Sequence, residues 1–412
     1  MAHCLGIAIV GMLFAPVLPI QAQSNASPPR DKPAMSTPTP PLALNAAIER
    51  LFTAPKIQSE WFAPEFLSQI PLVQVEQLIA ELKTTLGAYQ TVQPEGDAYV
   101  VTFARGKMLT QIALSPEGQI TLLWFRPYPT AISPNEAIQQ LKTLPGEVNF
   151  LVLEGSKELA ALNADRPLAV GSTFKLAVLR ALNQQIRSGQ QSWANVVALQ
   201  PQWKSLPSGI LQTWFDGALI TIQSLATLMI SQSDNTATDA LIQIVGRTSV
   251  EALTTRNQPF LTTREAFIFK VPENQMWLDR YRKGSLEQKR QVLNQLAEVP
   301  LPAVSSLRAT PTALDIEWFF TPRELCQFMK EVADLPVMRV NPSALLNPAD
   351  WTQVAYKGGS EPGVLNLTTQ LRDRKGKTYC ISATWNNTTA ALDDARFFAL
   401  YSAVIEGLKA RH

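Results

Sequence analysis

Apolar residues at Leu44, Ala47, Ile48 and Leu51 recur at the spacing of one helix face, and Val75, Leu78, Ile79 and Leu82 repeat it. The period then changes to two. Tyr99, Val101 and Phe103 alternate with Val100 and Thr102, and after a turn at Arg105-Gly106 the pattern resumes from Met108 to Leu114. A turn at Pro116-Glu117-Gly118 leads into Ile120 to Phe125. With a further strand expected at 88–92, the segment 43–127 reads as helices followed by an antiparallel meander, a small α+β unit. It holds no histidine, cysteine or carboxylate cluster, so a packing or docking role without chemistry is expected of it.

Arg126-Pro127-Tyr128-Pro129 breaks the pattern, and a second unit is expected over 133–412. It opens with a helix at 136–143 and a strand at 148–153, then runs through a mainly helical centre. It closes with strands near 352–357, 364–372 and 378–385 and a helix at 391–409. Strands at both ends of a helical centre imply one sheet assembled from the two ends, with helices packed on it.

Ahead of both units, residues 5–20 form one uncharged apolar run interrupted by Pro16 and Pro19, too short to span a bilayer comfortably. Small residues follow at Ala22 and Ala26. Residues 1–26 therefore read as a cleaved export signal, and the Pro-, Ser- and Thr-rich 27–42 as a tether. The expected product is periplasmic or extracellular, a monomer with no stable membrane span after cleavage.

Composition narrows the chemistry. In 412 residues, 46% hydrophobic and 17% charged content excludes a disordered chain. A net charge of +2 gives no reason to expect a nucleic-acid partner. The two histidines are His3, which leaves with the signal, and His412 at the far end. That excludes a Ser-His-Asp triad, a Cys-His dyad and the histidine zinc sites together. No metal or cofactor is expected, and a hydrolase built from this chain must move protons with lysine, carboxylate, tyrosine or serine. Cys4 leaves with the signal; Cys326 and Cys380 could form one disulfide in an exported protein, but both sit in apolar contexts, and two buried thiols are the plainer reading.

Three short motifs fit that constraint. Ser172-Thr173-Phe174-Lys175 opens an apolar helix, which would set Ser172 and Lys175 one turn apart on one face. A serine at a helix start finds backbone N–H groups able to support an oxyanion, and a desolvated lysine beside it can accept its proton. Ser233-Asp234-Asn235 lies between two helical stretches, where an ordinary N-cap is the plain alternative. Lys357-Gly358-Gly359-Ser360 is expected at the end of a strand, with glycines that permit close backbone approach.

In order, these resemble the three motifs of the serine β-lactamases and penicillin-binding proteins, S-x-x-K, S-D-N and K-T-G. RPLAVGSTFKLAVL, ITIQSLATLMISQSDNTATDALIQIVG and TPRELCQFMKEV also resemble class A β-lactamase segments, over about 280 residues. The small leading domain resembles, by layout, the β-lactamase-like proteins of clavulanic acid biosynthesis, which implies a cystatin- or NTF2-like fold for it. The resemblance implies an α+β fold and a small-molecule substrate. It implies Ser172 as acylated nucleophile, Lys175 as its base and Ser233 as the proton relay to the leaving group. Asn235 and Lys357 would hold the substrate, with Gly359 and Ser360 beside an oxyanion hole made by the Ser172 and Ser360 N–H groups. Two features depart from the pattern. Gly358 replaces a hydroxyl residue that meets the substrate carboxylate in the family. No E-x-x-L-N segment supplies a deacylating glutamate; Glu265 is the candidate for that role and Glu273 a weaker one. β-Lactam hydrolysis is the leading expectation, against a D-alanyl peptidase or esterase and against a slowly deacylating penicillin-binding sensor.

Overall fold

The computed structural model describes residues 43–409 apart from Asp97, Pro129, 341–345 and Asn347. The expected signal, tether and His412 lie outside the described residues. Two compact units divide after Tyr128.

In the first unit, helices Leu44–Thr53, Pro64–Gln69 and Leu72–Leu86 precede a four-stranded antiparallel meander in chain order. Its strands are Tyr89–Glu95, Ala98–Phe103, Gly106–Leu114 and Ile120–Pro127. The apolar faces read from the periodicities meet in one core, where Ile48, Leu51, Val75 and Ile79 pack on Val101, Phe103 and Ile120. The long helix stops at Gly87, whose φ of 86° is left-handed and whose N–H closes on Lys83 O.

The second unit is built on a five-stranded antiparallel sheet in the order Gln353–Glu361, Val364–Arg372, Thr378–Asn386, Glu147–Glu154, Lys157–Leu162. Both ends of the unit contribute strands, as the pattern implies. On one face, helices Pro134–Leu141 and Asp394–Lys409 bury Phe397, Tyr401 and Val404 against Phe150, Ile381 and Trp385. The register alternates, so Leu151 and Cys380 point the other way and meet Cys326 of helix Pro322–Val332. There the sequence expectation fails: Cys326 and Cys380 are buried but joined as a disulfide, with Cα atoms 5.9 Å apart. Apolar context reports burial, and burial does not tell a thiol from half a cystine.

A helical layer lies beyond the sheet. Helix Lys175–Arg187 is buried on almost every side from Lys175 to Asn183, among Ile222–Ser231, Asn235–Val245 and Pro322–Val332. Such a helix holds its first residues rigidly, which is what a site at its N-terminus requires.

Candidate active site

Ser172 does not sit on the helix itself. Gly171–Phe174 form a 3-10 turn that runs into the helix beginning at Lys175. The turn is clamped from several directions. Asn386 accepts from Ala169 N–H and donates to Ala169 O, each at 2.9 Å. Val170 N–H donates to Trp318 O at 3.0 Å, and the Trp318 ring stacks on Phe174 at 3.9 Å between centroids. Gly171 has φ 49°, so the turn needs a left-handed residue just before the serine. Ser172 stays half-buried while Gly171, Thr173, Phe174 and Lys175 are buried around it.

Lys175 is fully buried, and its Nζ donates to Ser233 O at 2.5 Å, Ser233 Oγ at 3.0 Å and Asn235 Oδ1 at 2.7 Å. Burial, and then repulsion from Lys357, hold its amine well below the ordinary lysine range, against the pull of Asp239, Asp234 and Glu361. Ser233 has φ 54°, a strained conformation for a residue with a side chain. Its carbonyl is pinned by Lys175 and by Ser208 Oγ at 2.7 Å, which holds the strain in place. Asp234 is an N-cap, as its residue type allows. Its Oδ1 accepts from Ala237 N–H at 2.8 Å, while its Oδ2 accepts from Ile210 and Leu211 N–H and so fastens the neighbouring loop.

The third segment corrects the expected strand. Lys357-Gly358-Gly359-Ser360 lies within Gln353–Glu361, not at its end, with Gly358 opposite Leu367 and Ser360 opposite Leu365. The glycines obscure the strand in the sequence because they have no side chain to show an alternation. Their reason is the Ser172 turn. A Cβ on Gly359 would overlap Val170 O and stand 2.5 Å from Ser172 N and Thr173 N. One on Gly171 would stand 3.0 Å from Ser360 N. The backbones carrying the Ser172 and Ser360 N–H groups are therefore in direct contact. Lys357 is buried, its Nζ 3.1 Å from Ser233 Oγ, and desolvation lowers its ammonium to about 7. One serine hydroxyl thus joins two lysines from different elements.

Glu265 does not join this cluster. It sits in helix Thr263–Phe269, where its carboxylate closes a capping box with Thr262 N–H at 2.7 Å. Arg247 takes both oxygens in a bidentate pair at 2.7 and 2.9 Å. A carboxylate so occupied is structural, which corrects its candidacy as the deacylating base. Glu273 is exposed on the turn Pro272–Asn274. Two groups went unnoticed in the sequence. Asp239, four residues after Asn235 on the same helix, accepts from Thr263 N–H, Thr263 Oγ1 and Arg264 N–H, and burial raises its carboxyl to about 7. Lys270 is paired in the interior with Glu317 and lies 3.4 Å from Glu361, the residue after Ser360. The i, i+4 spacing could have placed Asp239; no local signal brings Lys270 to Glu317.

A family model described as the beta-lactamase enzyme family matches residues 134–404. Among solved structures, a beta-lactamase from Sphaerobacter thermophilus is 19% identical, covers 68% of this chain and 96% of its own, and aligns with a TM-score of 0.48. A structure of PBP-A is 16% identical over 69% of this chain and 98% of its own, TM-score 0.46. A representative class A beta-lactamase from Bacteroides cellulosilyticus is 19% identical over 68% and 99%, TM-score 0.45. No curated protein matches the sequence.

Proposed function

This chain belongs to the beta-lactamase enzyme family, and from that premise we propose that it is a hydrolase working through an acyl-enzyme on Ser172, with β-lactams as its substrates. The observation that carries the reading is the Lys175–Ser233–Lys357 chain beside a half-exposed serine. Lys175, with its amine driven toward the neutral form, takes the Ser172 proton as Oγ attacks the lactam carbonyl. Ser233 Oγ accepts from both lysines, so it gives its own proton to the departing nitrogen and takes in return the proton that Lys175 received from Ser172. The oxyanion forms between the Ser172 and Ser360 N–H groups, whose backbones the glycines bring together. Lys357 attracts the substrate carboxylate; Asn235 holds the acyl side from its place beside Lys175.

The occupation of Glu265 favours a second reading of the same site, in which acylation is complete and deacylation slow, as in a penicillin-binding sensor. The disulfide suits an oxidising compartment, as either reading would need. Steady-state turnover of a chromogenic cephalosporin by wild type and by Ser172→Ala tests the first reading. Continuous turnover that Ser172→Ala abolishes is expected; a burst of one equivalent followed by a stop selects the second reading, and turnover that survives the substitution refutes both.

A further inference from the structure

Gly358 stands where the related motif carries a hydroxyl residue, and the structure shows what fills that place. A Cβ on Gly358 would fall inside the van der Waals envelope of Tyr356 Oη and lie 3.0 Å from Tyr356 Cζ. Two residues apart on Gln353–Glu361, the pair share a strand face, so the phenol lies along the strand over position 358. The ring packs against the cluster that includes Leu365, Leu367 and Tyr401, which fixes where the hydroxyl can go. The strand is the outermost of its sheet, and the next residue is Lys357, which reaches Ser233 Oγ. Tyr356 is part-exposed, and its hydroxyl makes no hydrogen bond among the described residues. Burial of the ring holds the phenol above its ordinary range, so it stays a neutral donor.

We propose that the Tyr356 hydroxyl is a substrate-binding group, which with Lys357 receives the carboxylate of the substrate acylating Ser172. It takes over from position 356 the contact that the related motif makes from the position of Gly358. The glycine is then a consequence: a side chain at 358 would displace the phenol. This rests on the acyl-enzyme reading of Ser172.

The test measures acylation rates of benzylpenicillin and of its methyl ester, which lacks the carboxylate charge, on the full chain. Tyr356→Phe keeps the ring and removes the donor. The ratio of the two rates is expected to fall about tenfold, the worth of a hydrogen bond to a charged group, through weaker binding of benzylpenicillin at an unchanged thermal midpoint. Gly358→Ala, which pushes the phenol aside, should lower the same ratio. An unchanged ratio in both variants, or a midpoint of Tyr356→Phe lowered by several degrees, would overturn the proposal and make the hydroxyl inert or structural. Wild type without any Ser172 adduct would overturn the acyl-enzyme reading and this one with it; a normal wild-type adduct with an indifferent Tyr356→Phe overturns this one alone.

Discussion

At the residue scale the site is a balance of two lysines around one hydroxyl. Lys357 is lowered by burial to about 7 from an ordinary 10.5, and Lys175 is also lowered. The unfolded chain keeps the Lys357 proton up to the ordinary value and the folded chain only to about 7. Between those values the unfolded state binds more protons, so stability rises with pH across that window. On the proposed acyl-enzyme reading, activity depends on the same groups in opposite senses: Lys175 must be neutral to accept a proton, and Lys357 charged to attract a carboxylate. A bell-shaped kcat/KM profile is expected, with the falling alkaline limb near 7. Lys357→Arg, charged throughout, should carry that limb upward; a profile indifferent to the substitution would remove Lys357 from substrate binding. Ser233→Gly separates strain from chemistry. It relieves the left-handed φ of 54°, so the thermal midpoint should hold, while loss of the relay costs about 10²–10⁴ in acylation rate. These residues were legible in the sequence as motifs. Tyr356 was not, because its role depends on the absence of a side chain two positions later. Glu265 was misread because an arginine eighteen residues away, Arg247, decides what it does.

Among the elements, the critical contact is backbone on backbone, between the Ser172 turn and Gln353–Glu361. Gly359→Ala puts a methyl group against Val170 O, Ser172 N and Thr173 N, all main-chain atoms that cannot rotate away. Overpacking of this kind costs about 1–3 kcal/mol, and acylation should disappear with the displaced turn. Urea unfolding beside the acylation assay checks both; an alanine variant that acylates normally would contradict the close approach. The disulfide ties helix Pro322–Val332 to the strand Thr378–Asn386 across a separation of 54 residues. Replacing both cysteines by serine should cost about 4 kcal/mol on the loop-entropy argument and leave the lysine cluster in place. Periodicity found the helices and strands with apolar faces. It missed Lys157–Leu162, an edge strand whose residues are mostly exposed or half-buried, and ended the glycine strand early for want of side chains.

For the whole molecule, the residues proposed to do the chemistry fall in the unit after Tyr128, and each unit has its own core. A chain starting at residue 130 is therefore expected to fold and to acylate at the wild-type rate; loss of acylation with folding intact would give the first unit a part in the reaction. Fold class was readable because three motifs and the strands at both ends of the second unit point to one architecture. The rate of deacylation was not, because it depends on where a carboxylate and a water meet in space. The claim on which everything else depends is that Ser172 becomes acylated. Intact-mass spectrometry of the protein mixed with benzylpenicillin, sampled over time beside Ser172→Ala, reads it directly. The account predicts one penicillin mass added to wild type and none to Ser172→Ala, with the adduct's lifetime reporting deacylation. An adduct that persists on Ser172→Ala would contradict it.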